Sequence, residues 1–178
     1  MNPILHGVMA YEDFSIAKLA KEKWDFMVNA LQHGYDFELQ LWGFDALRLP
    51  ALRNVAVDKT AKAHMVLIAT LGTGELPIEA KMWIEQWLAL KERQQDAARV
   101  LIFLFDSPPE KSGAYAFSQF AYLQHAARKG SMDFLATTAS VMDQDRAISL
   151  HVSTGGMRSW ESNFRAGVQR AIKQLALL

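Results

Sequence analysis

The sequence predicts a single three-layer α/β domain over residues 1–178, with helices on both faces of a parallel sheet. Three observations predict it. Continuous apolar runs of strand length occur at "HMVLIAT" (64–70) and "ARVLIFLF" (98–105), as expected of strands covered on both faces. Segments with helical apolar spacing separate the strand-like runs. Strands alternating with helices in this way make right-handed βαβ units, which force an open sheet between two helical layers.

In order, "ILHGVMAY" (4–11) is short and apolar and reads as a buried strand. "EDFSIAKLAKEKWDFMVNALQHG" carries Ile16, Leu19, Ala20, Trp24, Met27, Val28 and Leu31 at helical spacing, with Gly34 as its stop. "DFELQLWGF" (36–44) alternates through Phe37, Leu39 and Leu41, a strand with one wet face. "DALRLPALRNVAVDKTAKA" reads as a loop and a short helix. After the 64–70 strand, "PIEAKMWIEQWLALKERQ" is a strong helix with Pro77 in its first turn. After 98–105, "GAYAFSQFAYLQHAARKG" is a third helix ended by Gly130, and "MDFLATTA" (132–139) is a weaker strand. "QDRAISLHVSTGGMRS" (144–159) has room for a short extra strand. "SWESNFRAGVQRAIKQLALL" is a final helix that Ser159 is placed to cap.

The totals exclude several classes. Lys plus Arg and Asp plus Glu number 19 each, so no net field favours nucleic acid or anionic lipid. There is no cysteine, hence no disulfide framework, thiol nucleophile or thiolate metal site. "MNPILHGVMAYED" does not read as a signal peptide and no apolar run has bilayer length, so the expected compartment is the cytoplasm.

An open parallel sheet binds ligands beyond the carboxyl ends of its strands, here the loops 11–16, 42–50, 70–77, 105–114 and 137–146. A small-molecule ligand is expected there. Within "TLGTGELP" (70–77), Gly72 and Gly74 permit a sharp turn and close approach to the backbone, while Thr70 and Thr73 add hydroxyls. Glu75 and Pro77 start the helix. The same residues also make an ordinary strand-to-helix turn, and both readings stand.

"TLGTGELP" resembles the T-x-G-x-G-E-x-P loop of flavodoxin domains, especially those of two-flavin reductases. That resemblance implies a five-stranded sheet of order 2-1-3-4-5 and a flavin ring bordered by Thr70, Gly72, Thr73, Gly74 and Glu75. "FDSPPEKSGAYAF" (105–117) resembles the family's next loop through Asp106, Ser107 and Tyr115 or Phe117, with stretched spacing. The family's phosphate loop after the first strand is rich in Ser, Thr and Gly. This chain has "AYEDFSIAK" there, with Glu12 and Asp13 in place of a cradle for the phosphate of FMN. Carboxylates close to a dianion cost several kcal/mol, on the order of close charge pairs. The pair also resembles the Mg²⁺-holding acids of response-regulator receivers. Ala69-Thr70 and Ala136-Thr137 replace the phosphorylated Asp and the Lys that receivers require. A simpler role for Glu12 and Asp13 is to cap the first helix.

The five histidines, His6, His33, His64, His125 and His151, show no metal spacing. "HVSTGG" (151–156) adds hydroxyls and glycines to His151 without a strand–helix context. No G-x-S-x-G, P-loop or G-x-G-x-x-G motif is present, and no catalytic residue is nominated. Trp83 and Trp87 stand i,i+4 on one helix, either as core or as an exposed face for a second subunit. These readings give a non-catalytic flavodoxin-like domain acting by ligand or protein binding, with a homodimer as one form of association. A flavin electron carrier or reductase and a degenerate receiver are the alternatives.

Overall fold

The computed structural model describes residues 2–31, 34–91, 100–106 and 109–138. Expectations for Ser107, His33, His151, the 144–159 stretch and the final helix lie outside these residues. The chain runs β1 (Ile4–Tyr11), α1 (Phe14–Leu31), β2 (Asp36–Gly43), α2 (Phe44–Leu47), α3 (Pro50–Ala61), β3 (Met65–Thr70), α4 (Ile78–Lys91), β4 (Val100–Phe105), α5 (Pro109–Lys129) and β5 (Asp133–Thr138). All pairings are parallel, in the order β2-β1-β3-β4-β5. The fold is flavodoxin-like.

Strand parity divides the core. On one face Val8, Ala10, Val66, Ile68, Leu101, Phe103 and Phe105 pack with α2, α3, α4 and α5. On the other, Leu5, Met9, Met65, Leu67, Val100, Ile102 and Leu104 pack with Ile16, Ala20, Trp24 and Met27 of α1. β3 and β4 are buried at every position, which is why their sequences are continuous apolar runs rather than alternating ones. β2 pairs with β1 and alternates only in part. Phe37 and Leu39 lean on the α1 side, Leu41 is exposed, and Trp42 packs on the opposite face.

Two local expectations are corrected and two are refined. The segment after β2 holds a one-turn helix and then a three-turn helix, because Pro50 supplies a first helical position. α5 begins at Pro109, four residues before the apolar periodicity becomes visible at Gly113. α5 ends at Lys129 with Gly130 next, as expected, and the left-handed residue follows at Ser131, φ 52°. Ser131 N–H donates to Arg128 O at 3.1 Å and Met132 N–H to Ala127 O at 2.9 Å, which closes the last turn. A Cβ at Gly130 would lie 2.8 Å from the side-chain ends of Leu88 and Met132, which would have to shift to admit it. Trp83 and Trp87 are fully buried, 6.1 Å apart between ring centroids, which decides between the two readings in favour of the core.

Candidate functional site at the carboxyl edge of the sheet

The strand order reverses at β1, so the crevice lies where β1 and β3 end. Main-chain bonds fix the exits to one another. Glu12 N–H donates to Ala69 O at 3.0 Å, and Asp106 N–H donates to Thr70 O at 3.1 Å. These two bonds place Glu12, Thr70 and Asp106 side by side across the edge.

The acids after β1 have defined partners. Asp13 precedes α1, and its Oδ1 accepts from Ile16 N–H at 3.0 Å and Ser15 Oγ–H at 2.6 Å. It is the helix N-cap. The Ser15 hydroxyl first, and the Ile16 amide next, hold its carboxyl below the ordinary 3.8. Glu12 does something different. Its Oε2 accepts from Leu71 N–H at 2.7 Å, a side-chain strap from the β1 exit to the residue after β3. Among the described residues, no group of three or more His, Asp or Glu side chains is arranged to hold a metal ion.

The 70–77 loop is held from within. Thr70 is fully buried, and its Oγ1–H donates to Oε1 of Gln119 on α5 at 2.6 Å. Nε2–H of the same glutamine donates to Gly74 O. Gln119 is 3% exposed and both ends of its amide are used. It is the residue that sequence reading missed. A Gln inside an amphipathic helix carries no signal of its own, and only the helix phase, which buries 116, 119 and 120, gives it away.

Gly72 has φ 73°, a left-handed backbone that favours glycine. Gly74 has open space around it, since a Cβ there would meet nothing within 4 Å. Leu76 is buried and anchors the far end of the loop, while Thr73 and Glu75 face solvent. Glu75 lies 3.5 Å from Lys81 Nζ. The loop is thus fixed below and open above.

Tyr115 stands one helical turn before Gln119, on the same face of α5 and nearer the carboxyl edge. It is half exposed there. Phe117 is two residues from Gln119 on a different side of the helix, which separates the two aromatics that the sequence left as alternatives. The described histidines lie elsewhere. His6 and His64 sit at the amino ends of β1 and β3, and His125 sits in the last turns of α5.

At the start of α1 the Ile16 amide is engaged by Asp13, and beyond β3 the Leu71 amide is engaged by Glu12, so neither donor is open to the phosphate of FMN.

No protein-family model matches the chain, and no curated protein matches it. Solved structures of similar fold include the Trp repressor binding protein from Bacillus subtilis, at 10% identity and TM-score 0.48 over 93% of this chain and 96% of that one. A putative acylhydrolase from Bacteroides fragilis has 13% identity and TM-score 0.45 over 98% and 91%. An SGNH-hydrolase family esterase has 14% identity and TM-score 0.45 over 98% and 97%. None of these likenesses transfers an activity.

Proposed function

We propose that this chain is a flavodoxin-like binding domain, non-catalytic, that engages a ligand or a protein at the carboxyl ends of its strands. One observation carries the reading: Gln119 locks the 70–77 loop from below while Gly74 leaves it open above. Ordering a loop has an entropic cost, and a loop already ordered can bind without meeting that cost again. The acids beside it are engaged as cap and strap, and the described histidines are at the other end of the sheet. That distribution supports recognition rather than acid–base chemistry. Phe14 and Ile78 are exposed at the first positions of α1 and α4, and Phe117 is exposed two turns into α5; they supply apolar area for association, a homodimer included.

A flavin-dependent electron carrier or reductase is the second reading. It is favoured by the T-x-G-x-G-E-x-P resemblance together with a half-exposed Tyr115 one helical turn before Gln119, the residue that holds the loop. The degenerate-receiver reading draws less support from an acid pair whose members each serve the fold. Absorbance of freshly purified protein, followed by titration with FMN and riboflavin, separates the first two. A flavin band that co-purifies, or saturable quenching of flavin fluorescence with a redox change, favours the carrier. Absence of both favours the non-catalytic domain. Light scattering over a dilution series tests the homodimer, which a monomer at every concentration would exclude.

A further inference from the structure

α3 distributes its side chains the wrong way round for a surface helix. Its buried side is made of Ala56, Val57, Thr60 and Ala61, mostly small residues. Its larger apolar side chains face solvent instead. Leu49 at the N-cap is 58% exposed, Leu52 40% and Val55 46%. A surface helix ordinarily turns charged and polar residues outward, and α1 does so with Lys18, Glu22 and Asp25. On α3 the exposed positions 49–52, 54 and 55 carry no charge. Arg53, the charged residue within that run, is half-buried, and its Nη1–H donates to Leu47 O at 3.0 Å.

The apolar face continues onto the next helix. α3 and α4 pack side by side, and both run back against the parallel strands, so their first turns stand together at the carboxyl edge. Ile78 and Met82 are exposed one turn apart at the start of α4. With 12 and 14 residues, the two helices are about 18 and 21 Å long and make a joint face of roughly 20 by 20 Å. That is smaller than the ~800 Å² per partner of a standard interface, so a pair formed through it should dissociate on dilution.

The charges at the two ends of this face select the occupant. Asp45 and Arg48 are exposed just before it, 3.5 Å apart, and Asp58 and Lys59 are exposed just beyond it. Each end thus carries one charge of each sign. A second copy laid antiparallel across a two-fold axis meets the Asp45–Arg48 end with its own Asp58–Lys59 end, at both rims at once. Opposite charges are available to each other there, and the uncharged centre lies on an uncharged centre. A partner with strong charge of one sign finds no counterpart on this face.

We infer that the α3–α4 face, centred on Leu52 and Val55, is the surface through which two copies of this chain associate, as a two-fold pair with the α3 helices antiparallel. The inference rests on the association reading above and names its surface. Because the 70–77 loop leads straight into α4 at Ile78, each open loop lies at the margin of the pair.

The test is sedimentation velocity on the full chain over a dilution series from the millimolar to the micromolar range. The wild type should pass from dimer to monomer. Leu52→Glu and Val55→Glu each oppose a charge to its own copy near the axis, and each should weaken pairing at least about tenfold. Both positions are exposed, circular dichroism checks the fold, and either variant suffices if the other does not fold. Phe26→Glu is the control: it alters an exposed apolar position, 59%, on the outer side of α1, and should leave pairing unchanged. A wild type that is monomeric at every concentration would overturn the inference, and this is the result expected if the face serves a partner of another kind. So would a dimer that both α3 variants leave intact, or one that Phe26→Glu weakens equally. Persistence of the dimer in the α3 variants removes this surface and leaves association standing. Absence of any dimer removes association with it, and the FMN and riboflavin titrations then decide ligand binding separately.

Discussion

At the scale of single residues, two side chains define the carboxyl edge and give separate signatures. Asp13 is a cap, so Asp13→Ala should lower stability by about 1 kcal/mol at neutral pH, whereas Asp13→Asn should change it little. Its carboxyl is held below 3.8 by Ser15 and Ile16, so its contribution is complete above that value and is lost as pH falls through the folded one. The gap between Asp13→Ala and wild type should therefore close in denaturant melts below pH 3.8. Gln119 is the stronger case because it is buried. Gln119→Leu leaves the Thr70 hydroxyl and the Gly74 carbonyl without their partner, and should cost about 2 kcal/mol or more. Hydrogen exchange should speed up at residues 71–75 and leave β1 unchanged. Uniform loss of protection would mean that Gln119 serves the whole core rather than the loop.

At the scale of elements, α1 shows how sequence and packing agree. Trp24 lies across Gly7 of β1, and a Cβ at Gly7 would come within 2.2 Å of its ring. Gly7→Ala must push the ring and shift α1, with an expected loss of about 1–3 kcal/mol measured by thermal or denaturant melts. A neutral effect would show that α1 rides loosely on the sheet. The same elements explain what was legible. β1, β3, β4, α1 and α4 announce themselves because burial on both faces, or on one helical stripe, leaves a periodic record in side-chain type. The starts of α3 and α5 were harder to read, since Pro50 and Pro109 begin helices before any apolar period is established. In the site, "TLGTGELP" exposed its turn chemistry in its glycines, but its lock did not show. Gln119 is 49 residues from Thr70, and a hydrogen bond across that separation has no local pattern. Glu12 was visible as an acid near a helix start, whereas its reach to Leu71 depends on β1 and β3 being neighbours.

At the scale of the molecule, the two ends of the sheet are built differently. At the amino edge, His64 Nδ1 accepts from His6 N–H at 2.9 Å and His64 N–H donates to His6 O at 2.8 Å, so the imidazole extends the ladder beyond the first residue of β3. His6 Nδ1 in turn lies 3.2 Å from Glu38 on β2. This edge ties three strands together. The carboxyl edge is also tied, through Glu12, Asp106 and Gln119, but it leaves a loop face open and carries exposed apolar area in Phe14 and Ile78. No helix among the described residues is long and apolar enough to cross a membrane. The central proposal is that this edge recognises something other than a mononucleotide, since the Ile16 and Leu71 amides are already engaged by Asp13 and Glu12. Side-by-side calorimetric titration of the purified protein with FMN and riboflavin tests that claim most directly, since the two ligands differ only in the phosphate. The account predicts that FMN binds no more tightly than riboflavin, whether or not the ring is held at all. FMN bound at least about tenfold more tightly than riboflavin, roughly 1.4 kcal/mol in its favour, would contradict it.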